Sequence, residues 1–484
     1  MLSILHDPRL VYPDARDAFD PHERYPEYRG GVSSAPNPIY EAVRRVLQQA
    51  GLDRTRWGTP QWNPLGELVP SGASVFVLCN FVYHRRGVES VEDFHGKCTH
   101  GSVLRALVDY LLLAVGPNGR VRFGNAPLQG CRWESVLEDT GAAAVEARYR
   151  KLGLPVQSID LRQLVTERGP LGDVQRRVDR GGDDTVAVDL GRDSLLDDLP
   201  PATGGSGPRF RVSDYDPDRT EGCHASGAHV YLLHRAVLES DVLVSLPKLK
   251  THEKVGVTCA MKGFVGAVAQ KDCLAHHRYG PPRAGGDEYA GSLAFLEPLS
   301  ALSDWVQRRR PDAPLRNLWL IGDRTARRAL VRLGVTPPGA WHGNDTCWRM
   351  SLDLSRLVHH ADRQGRLQEA PCRRQLVLVD GVVAGEGDGP LVPRGVRAGT
   401  LLLGDDVAVV DRAACRLMGF PPERIALVRG AFQRMRYPVT ACAADEESPV
   451  VLNGELVGDR DLSPVLGRPF APPRGWREYL PRTA

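Results

Sequence analysis

Lysine is scarce in this 484-residue chain. Only seven of its 62 Lys and Arg residues are lysine, and five of those seven lie between Lys248 and Lys271, where no arginine occurs. By composition alone, a window of that length would hold roughly 0.35 lysine. The surrounding segment is LVSLPKLKTHEKVGVTCAMKGFVGAVAQKD, residues 243–272. Because the chain carries nearly all its other positive charge as arginine, this segment suggests a site that needs the amine itself.

Cysteine pairs of the metal-binding kind are absent. The ten cysteines are scattered singly, and no two of them have the two-residue gap that is typical of zinc and iron–sulfur sites. We therefore expect free thiols in a reducing compartment, and no iron–sulfur cluster within this chain.

Long apolar runs and a strong net charge are also missing. The N-terminus meets acids and prolines within a few residues, so it lacks the apolar core of a secretion signal. The longest apolar runs are too short or too charged to cross a bilayer. The net charge of +3 is small for this length and does not suggest a basic face for nucleic acid. We expect a cytoplasmic protein with neither nucleic acid nor a membrane as a partner.

The apolar runs that are present predict an α/β fold with mainly parallel sheet flanked by helices. A buried-strand pattern at residues 73–82 is followed by a helical pattern, SVLRALVDYLLLAV, and then by a short strand, RVRFGN. A strand, helix, strand unit is most simply a parallel pair. A helix is predicted over HVYLLHRAVLES, before a strand at residues 241–246, and another strand at LWLIGD, residues 318–323.

Acidic, glycine-rich loops are predicted after two later strands, in RQLVLVDGVVAGEGDGP and in GTLLLGDDVAVVDRAACRLMGF, and the second loop continues into a helix. The stretch at residues 178–210 is rich in Gly, Asp and Pro and is either an exposed insertion or irregular β structure. The predicted organisation is an N-terminal extension (1–70), an α/β region with the lysine segment (71–270), a second α/β region with the acidic loops (271–440) and a Pro-rich tail that wraps the surface (441–484).

The first half of the lysine segment predicts an anion site. If the chain stays extended after Pro247, Lys248 and Lys250 point to the same side, with Thr251 and His252 next in line. Two ammonium groups, a hydroxyl and an imidazole suit a carboxylate or a phosphate, and lysine loses its proton on burial more readily than arginine does. The alternative is a solvated cationic loop, although the flanking runs are apolar.

Roles follow from these side chains. Lys248, Lys250, Thr251 and Thr258 are the predicted substrate-binding residues of this segment. The predicted catalytic residues are His252, which titrates near neutral pH and serves as acid or base, Lys250, and Lys262, which stabilises developing negative charge.

The run DVLVSLPKLKTHEKVGVTCAMKGFVGAV resembles the signature of the family called domain of unknown function 362, in which a Pro-Lys-Leu-Lys-Thr-His core is followed by a Thr and by a Lys before a Gly. Three further stretches agree in order: VLCNFV with CTHGSVLRALVDYLL, then VLVDGVVAGEGDGPLVP, then GDDVAVVDRAACRLMGF. The resemblance covers most of residues 73–425. Asn80, Thr99 and His100, within the first of these stretches, complete the predicted substrate-binding set.

The resemblance implies an α/β fold and a bacterial protein, and it leaves the reaction open because the family has no generally assigned activity. Some members carry an appended ferredoxin-like module with iron–sulfur clusters. This chain departs from them because it has no Cys-x-x-Cys run.

A divalent metal is a candidate cofactor. Asp380, Glu386 and Asp388 alternate with glycines directly after an apolar strand, and such loops offer oxygen ligands to magnesium or calcium. The adjacent His276 and His277, together with a carboxylate, would suit a transition metal. The alternatives are a tight turn whose acids cap backbone amides and a pair of hydrogen-bonding histidines.

Three functions remain open at this level. The first is an enzyme that acts on a small anionic metabolite, a carboxylate or a phosphate, with isomerase, transferase or lyase chemistry. The second is a non-catalytic anion-binding or sensor protein. The third is a redox partner of a separate iron–sulfur protein, which depends on the family association alone. Dinucleotide binding, nucleotide hydrolysis and serine hydrolase chemistry are not predicted, since their glycine-rich and nucleophile motifs are missing.

Overall fold

The computed structural model describes residues 1–169, 172–177, 184–201, 209–212, 215, 217–308, 314–463 and 465–480. The helices are α1 Pro38–Gln49, α2 Val91–Lys97, α3 Gly101–Val115, α4 Trp133–Thr140, α5 Ala142–Lys151, α6 Pro217–Cys223, α7 Arg235–Leu238, α8 Ala260–Gly263, α9 Glu297–Gln307, α10 Pro314–Arg332, α11 Cys347–His360, α12 Val407–Leu417 and α13 Ala426–Ala431. The strands are β1 Leu2–His6, β2 Ser74–Cys79, β3 Arg120–Asn125, β4 Val156–Asp160, β5 Leu164–Gly169, β6 Gly172–Arg177, β7 Thr185–Asp189, β8 Phe210–Arg211, β9 His224–Ala225, β10 Ala228–His234, β11 Val242–Leu246, β12 Lys248–His252, β13 Gly256–Thr258, β14 His277–Arg278, β15 Arg374–Asp388, β16 Val392–Gly404, β17 Pro449–Leu452 and β18 Glu455–Gly458.

One large mixed sheet organises the molecule. Nine of its strands run in the order β18, β17, β1, β16, β15, β11, β2, β3, β4, and β12 and β13 join it beside β15. The pairs from β15 through β11, β2 and β3 to β4 are all parallel, whereas β16 is antiparallel to both of its neighbours. The fold is therefore α/β with mainly parallel pairs, as predicted from the strand, helix, strand unit at β2, α3 and β3.

The sheet has an apolar layer on each side, which explains why its central strands are continuous apolar runs. In β2, Val75 and Val77 pack into one buried cluster and Phe76 and Leu78 into the other. Because alternate strand residues point to opposite faces, a strand that is covered on both sides needs apolar residues at every position.

The order of the strands reverses between β2 and β11. From β2 the chain moves to β3 and β4 on one side, and it later returns to β11 on the other side of β2. In open α/β sheets, ligands bind beyond the carboxyl ends of the strands at such a switch point. The residues that follow β2 and β11 are Asn80 and the stretch from Pro247 to His252.

Both terminal segments take part in this sheet. In the N-terminal extension, β1 pairs with β16, and in the C-terminal tail β17 pairs with β1. Strands from both predicted α/β regions also lie side by side in it, as β11 and β15 do. The division at residue 270 is thus not a division between sheets.

Three local predictions are wrong. HVYLLHRAVLES, predicted as a helix, begins as β10 and contains only the short helix α7. LWLIGD, predicted as a strand, lies within α10. The predicted acidic loop after residue 380 is a continuation of β15, which pairs with β16 as far as Asp388. In each case a short apolar or glycine-rich run was ambiguous by periodicity, and its neighbours in the fold decided its conformation.

The prediction of free cysteines fails for one pair. Cys223 at the end of α6 and Cys273 form a disulfide, with their Cα atoms 5.4 Å apart. The insertion predicted at residues 178–210 lies partly outside the described residues, and its described part includes β7, which pairs with β10.

Within the described ranges, no single helix has both the length and the apolar content to cross a membrane. α2 and α3, which meet at an angle of 41°, pass that test only when they are taken together.

Candidate active site

The lysine segment lies at the switch point of the sheet. After β11, Pro247 leads into β12, which continues along β15 while β2 ends at Cys79. All five residues of β12 are buried. The alternative of a solvated cationic loop is therefore excluded for this stretch, and Lys248, Lys250 and His252 lie inside the protein.

Lys248 is paired with a carboxylate. Its Nζ lies 3.0 Å from Oδ2 of Asp380, and both side chains are fully buried. The Tyr12 hydroxyl accepts a hydrogen bond from Lys248 Nζ and donates one to Asp380 Oδ1, each at 2.5 Å. The backbone N–H of His100 also donates to Asp380, at 3.0 Å. Lys248 and Asp380 thus neutralise each other, although burial still lowers the pKa of Lys248.

Lys250 has no such partner. Its Nζ donates to Oδ1 of Asn80 and to the backbone oxygen of Lys97, both at 2.5 Å, and both acceptors are neutral. No carboxylate in the described part of the chain forms an ion pair with it. Burial, with smaller contributions from Lys248, Lys97 and Lys262, lowers the pKa of Lys250 to about 7. At neutral pH this amine exchanges between its charged and neutral forms.

Glycine allows β15 and α2 to approach Lys250. A Cβ atom on Gly385 would lie 2.9 Å from Cβ of Lys250 and 2.5 Å from the backbone oxygen of Gly96. A larger residue would therefore push β15 away from α2 and β12. This explains why the predicted acidic loop is rich in glycine even though it forms a strand.

Two predicted substrate-binding residues, Asn80 and Thr258, are next to Lys250, and a third, Thr99, supports Asn80. Asn80 accepts the hydrogen bond of Lys250 directly. Thr99 holds the end of β2 to β11: its hydroxyl accepts from Asn80 N at 3.0 Å and donates to Leu246 O at 2.8 Å. Thr258 lies opposite Lys250 in the β12–β13 pair, so both side chains are on one face. The Thr258 hydroxyl is buried and has no hydrogen-bond partner among the described residues.

His252 shares the face of β12 with Lys250, two residues away. Its Nδ1 accepts a hydrogen bond from the backbone N–H of Lys254 at 3.0 Å. Burial, together with Lys262, His276 and other nearby cations, holds the pKa of His252 well below 6.5. The ring is therefore neutral in the resting protein and carries its proton on Nε2.

Lys262 and Lys254 are two further cations that lower the pKa of His252. The short helix α8 carries Lys262, and Asp411 caps it by accepting hydrogen bonds from Ala260 N at 2.8 Å and Met261 N at 3.1 Å. Burial lowers the pKa of Lys262, and Lys254 lowers it further. Lys254 Nζ donates to the backbone oxygen of Pro338.

Two further predicted binding residues, Thr251 and His100, make contacts within the protein. The Thr251 hydroxyl donates to the backbone oxygen of Gly387 at 2.7 Å, on the opposite face of β12 from Lys250. His100 caps α3 through its Nδ1, and its ring stacks on Tyr12 with a centroid separation of 3.9 Å. Burial holds the pKa of His100 well below 6.5.

The predicted metal ligands have separate partners. Asp380 binds Lys248, Glu386 binds Arg394 and Arg468, and Asp388 interacts with Arg474 at 3.5 Å. His276 and His277 lie in a different segment, where His276 Nδ1 donates to Leu274 O at 3.1 Å. In the described ranges no three His, Cys, Asp or Glu side chains form a group that could hold a metal. These residues do not fit a shared ion, and a divalent metal stays a prediction.

The sequence reasoning missed Tyr12 and Lys97. Tyr12 is 368 positions away from Asp380 in the chain, and no motif surrounds it. Lys97 is buried and binds Glu89 at 2.6 Å, while its carbonyl accepts from Lys250. The scarcity of lysine could have identified Lys97, since it is one of only two lysines outside the segment.

Comparison with known proteins gives a family and a weak structural relative. Residues 207–416 match the family described as Domain of unknown function (DUF362). No curated protein matches the chain. A crystal structure of a Thermotoga maritima protein from a structural genomics consortium is similar at 12% identity and a TM-score of 0.29, over 74% of this chain and 52% of that one. The chain thus spans about half the length of that relative.

Proposed function

Since the chain belongs to the DUF362 family, whose members have no generally assigned reaction, we propose from the site that it is an enzyme acting on a small anionic metabolite, a carboxylate or a phosphate. The observation that carries the proposal is the environment of Lys250. This ammonium group is buried at the switch point of the sheet, and it has two neutral acceptors and no carboxylate partner in the described ranges.

Physical chemistry favours an external anion at such a position. A buried cation that lacks a counter-charge costs several kcal/mol, and an anionic ligand recovers part of that cost. Lys248, in contrast, already has Asp380. We therefore assign anion binding to Lys250, with Asn80 and Thr258 beside it, and we assign to Lys248 the role of holding β12 against β15.

His252 is the acid–base residue of the proposal. Its neutral ring carries a proton on Nε2, on the same face of β12 as Lys250, and this N–H can donate a hydrogen bond to a substrate atom. A bound anion raises the pKa of the imidazole because it stabilises the charged form. Lys262 supplies positive charge for whatever negative charge develops on the substrate. The reaction class is left open among isomerase, transferase and lyase chemistry.

The test is ligand binding by the purified protein. We would screen acetate, inorganic phosphate and small carboxylated and phosphorylated metabolites by thermal shift, with Lys250→Met beside wild type. Lys151→Met is the matched control because Lys151 is exposed and lies outside the segment. A ligand at a hundredfold excess over its Kd stabilises the folded state by about 2.7 kcal/mol. We expect that shift in wild type and in Lys151→Met, and its loss in Lys250→Met.

Two results would contradict the proposal. One is the absence of a shift with every probe, and the other is a shift that survives in Lys250→Met. If a metabolite binds, its NMR spectrum during incubation with the protein separates the two functions. Turnover that is lost in His252→Asn supports the enzyme, whereas binding without any turnover supports the anion sensor instead.

A further inference from the structure

The helices α9 and α10 expose an unusual number of large apolar side chains. Sixteen such side chains are exposed in the described ranges, and six of them lie within residues 295–333: Phe295, Leu302, Trp305, Leu318, Ile321 and Leu333. These six are 42% to 81% exposed. A surface helix of a globular protein turns its apolar stripe toward the core. A large apolar face on the outside instead marks a site of interaction.

Polar side chains of the two helices face inward. Ser300, Ser303 and Asp304 of α9 are each at least nine-tenths buried. The Asp304 carboxylate accepts a hydrogen bond from Arg211 of β8 at 2.6 Å, and the Ser303 hydroxyl donates to Asp323 of α10 at 3.4 Å. The polarity of α9 is thus reversed, since its polar groups hold it to α10 and to the body of the protein while its apolar groups stay outside.

The outward face carries almost no charge. In α9 each exposed residue is uncharged: Pro298, Ala301, Leu302 and Trp305. In the described part of α10, Arg332 is the only charged residue that is exposed, and it lies at the end of the helix. The cores of protein interfaces are likewise poor in charge and rich in aromatic residues. Helices that lie on a membrane differ, because their basic polar face stays in water, whereas the polar face of α9 is buried.

The size of this face is close to what a stable dimer needs. With a whole large apolar side chain taken as roughly 150 to 200 Å², the exposed fractions of the six side chains amount to about 600 Å². A specific interface buries about 800 Å² on each partner. The small exposed residues between the six, such as Ala301 and Ala329, supply the remaining area.

The exposed stripe of α10 is symmetric in the way that a second copy requires. In a two-fold dimer the same patch meets itself, so two antiparallel helices need matching residues at equal distances from the centre of their contact. About a centre between positions 325 and 326, Leu318 corresponds to Leu333, directly after the helix. About the same centre, Gly322 corresponds to Ala329. Large residues therefore meet at the two ends of the contact, and small residues meet in the middle, where crossing helices are closest.

We propose that α9 and α10 form the interface of a homodimer, in which α10 packs antiparallel against α10 of a second copy and the exposed aromatic residues of α9 flank that contact. The two hairpins then make a four-helix bundle whose interior is the outward apolar face of each copy. The Thr325 hydroxyl is already satisfied there, since it donates to Ile321 O at 2.8 Å within the helix. This inference does not depend on the proposed function.

The experiment measures the molar mass of the purified protein by light scattering during gel filtration. Wild type would be compared with Leu318→Arg, Trp305→Arg and the matched control Leu456→Arg, since Leu456 is 75% exposed and lies in β18. We expect twice the chain mass of 53.1 kDa for wild type and for the control. Each hairpin variant should weaken the dimer at least tenfold, because it buries an unpaired charge in the interface. Thermal unfolding checks that each variant is folded.

A second measurement tests the antiparallel crossing in a folded chain. Ala326→Cys in a Cys372→Ser background places a thiol beside the two-fold axis and removes an exposed cysteine. A short bismaleimide should then join two chains through position 326. Leu456→Cys in the same background is the control and should stay a single chain.

Three results would overturn the inference. A wild type of single-chain mass excludes the dimer, and binding of that monomer to phosphatidylglycerol vesicles would assign the face to a lipid surface instead. A dimer that both Leu318→Arg and Trp305→Arg leave intact has its interface elsewhere. A dimer that both variants disrupt, but that does not crosslink through position 326, does not have the antiparallel crossing of α10.

Discussion

Two neighbouring regions of the molecule differ in whether their buried charges have a partner of opposite charge. At the end of β15, Glu386 is buried and accepts hydrogen bonds from Arg468 at 2.9 Å, from Ala471 N at 2.8 Å and from Arg394. Burial opposes its ionisation, yet these hydrogen bonds hold the pKa of Glu386 below its usual value. In β12 and α8, by contrast, Lys250 and Lys262 are buried with neutral acceptors or none in the described part of the chain.

This difference explains why the chain carries arginine in the first region and lysine in the second. Arginine stays charged and its planar group fits a carboxylate, so it suits permanent structural pairs. The buried pairs Arg44–Glu27, Arg162–Asp160 and Arg356–Asp353 have the same character as the cluster at Glu386. Lysine changes its protonation on burial, so it suits a position that is neutral or charged according to what is bound.

The largest effect on stability is expected at Asp380, where a buried carboxylate is paired with a lysine of the segment. Asp380→Asn leaves Lys248 buried without a counter-charge, which should lower the free energy of unfolding by about 3 to 5 kcal/mol. Urea unfolding followed by circular dichroism measures it. The double variant Asp380→Asn with Lys248→Met should recover part of the loss, since no charge is then left unpaired. A single variant as stable as wild type would show that Lys248 is not charged in the folded state.

The next effect is on anion affinity as a function of pH. Lys250 must be an ammonium group to bind an anion, and its pKa is about 7 in the folded protein against 10.5 ordinarily. Affinity for acetate should therefore fall about tenfold between pH 6 and pH 8, because the protonated fraction falls from about 0.9 to about 0.1. Calorimetry at the two pH values checks this. An equal affinity at both would mean that Lys250 keeps its proton throughout.

Deprotonation of Lys250 also affects stability. Anion affinity falls as the pH rises, whereas the free energy of unfolding rises. Between about pH 7 and pH 10.5 the unfolded chain holds the Lys250 proton and the folded chain does not. The unfolded state then binds more protons, so this group makes the free energy of unfolding rise with pH across that window and has no effect on its slope below it. The rise should be smaller in Lys250→Met than in wild type.

The smallest effect on stability is expected at the end of β15, where Glu386 is paired with arginines. Glu386→Gln removes the negative charge that pairs with Arg394 and Arg468. These two side chains are 67% and 48% exposed, so water solvates their guanidinium groups when the ion pairs are lost. We expect a cost of about 1 kcal/mol in urea unfolding, and an acetate affinity equal to that of wild type. A loss of acetate binding in this variant would show that the two regions are coupled.

Much of the fold was predictable because it depends on local patterns. β2, α3 and β3 follow from apolar runs of the right period and length, and the parallel sheet follows from their order. The continuation of β15 to Asp388 was not predictable in the same way, since its glycines and acids are typical of a loop. That stretch is a strand because β16 and β12 supply hydrogen-bonding partners on both sides.

The candidate site was predicted in part. The lysine cluster indicated Lys248 and Lys250, and the structure shows both of them buried next to Asn80 and Asp380. Their different roles could not be read from the sequence, because Lys248 and Lys250 are the same residue type only two positions apart in one motif. Only the register of β12 on β15 places Asp380 opposite Lys248 and Gly385 opposite Lys250.

The sequence by itself determined which type of cation the segment carries, and where along the chain it lies. The tertiary structure decided which of those cations has a counter-charge, since ion pairing depends on groups hundreds of residues apart, such as Tyr12, Lys248 and Asp380. Coulomb interactions and desolvation act through distance in space and depth of burial, and neither quantity is set by local sequence.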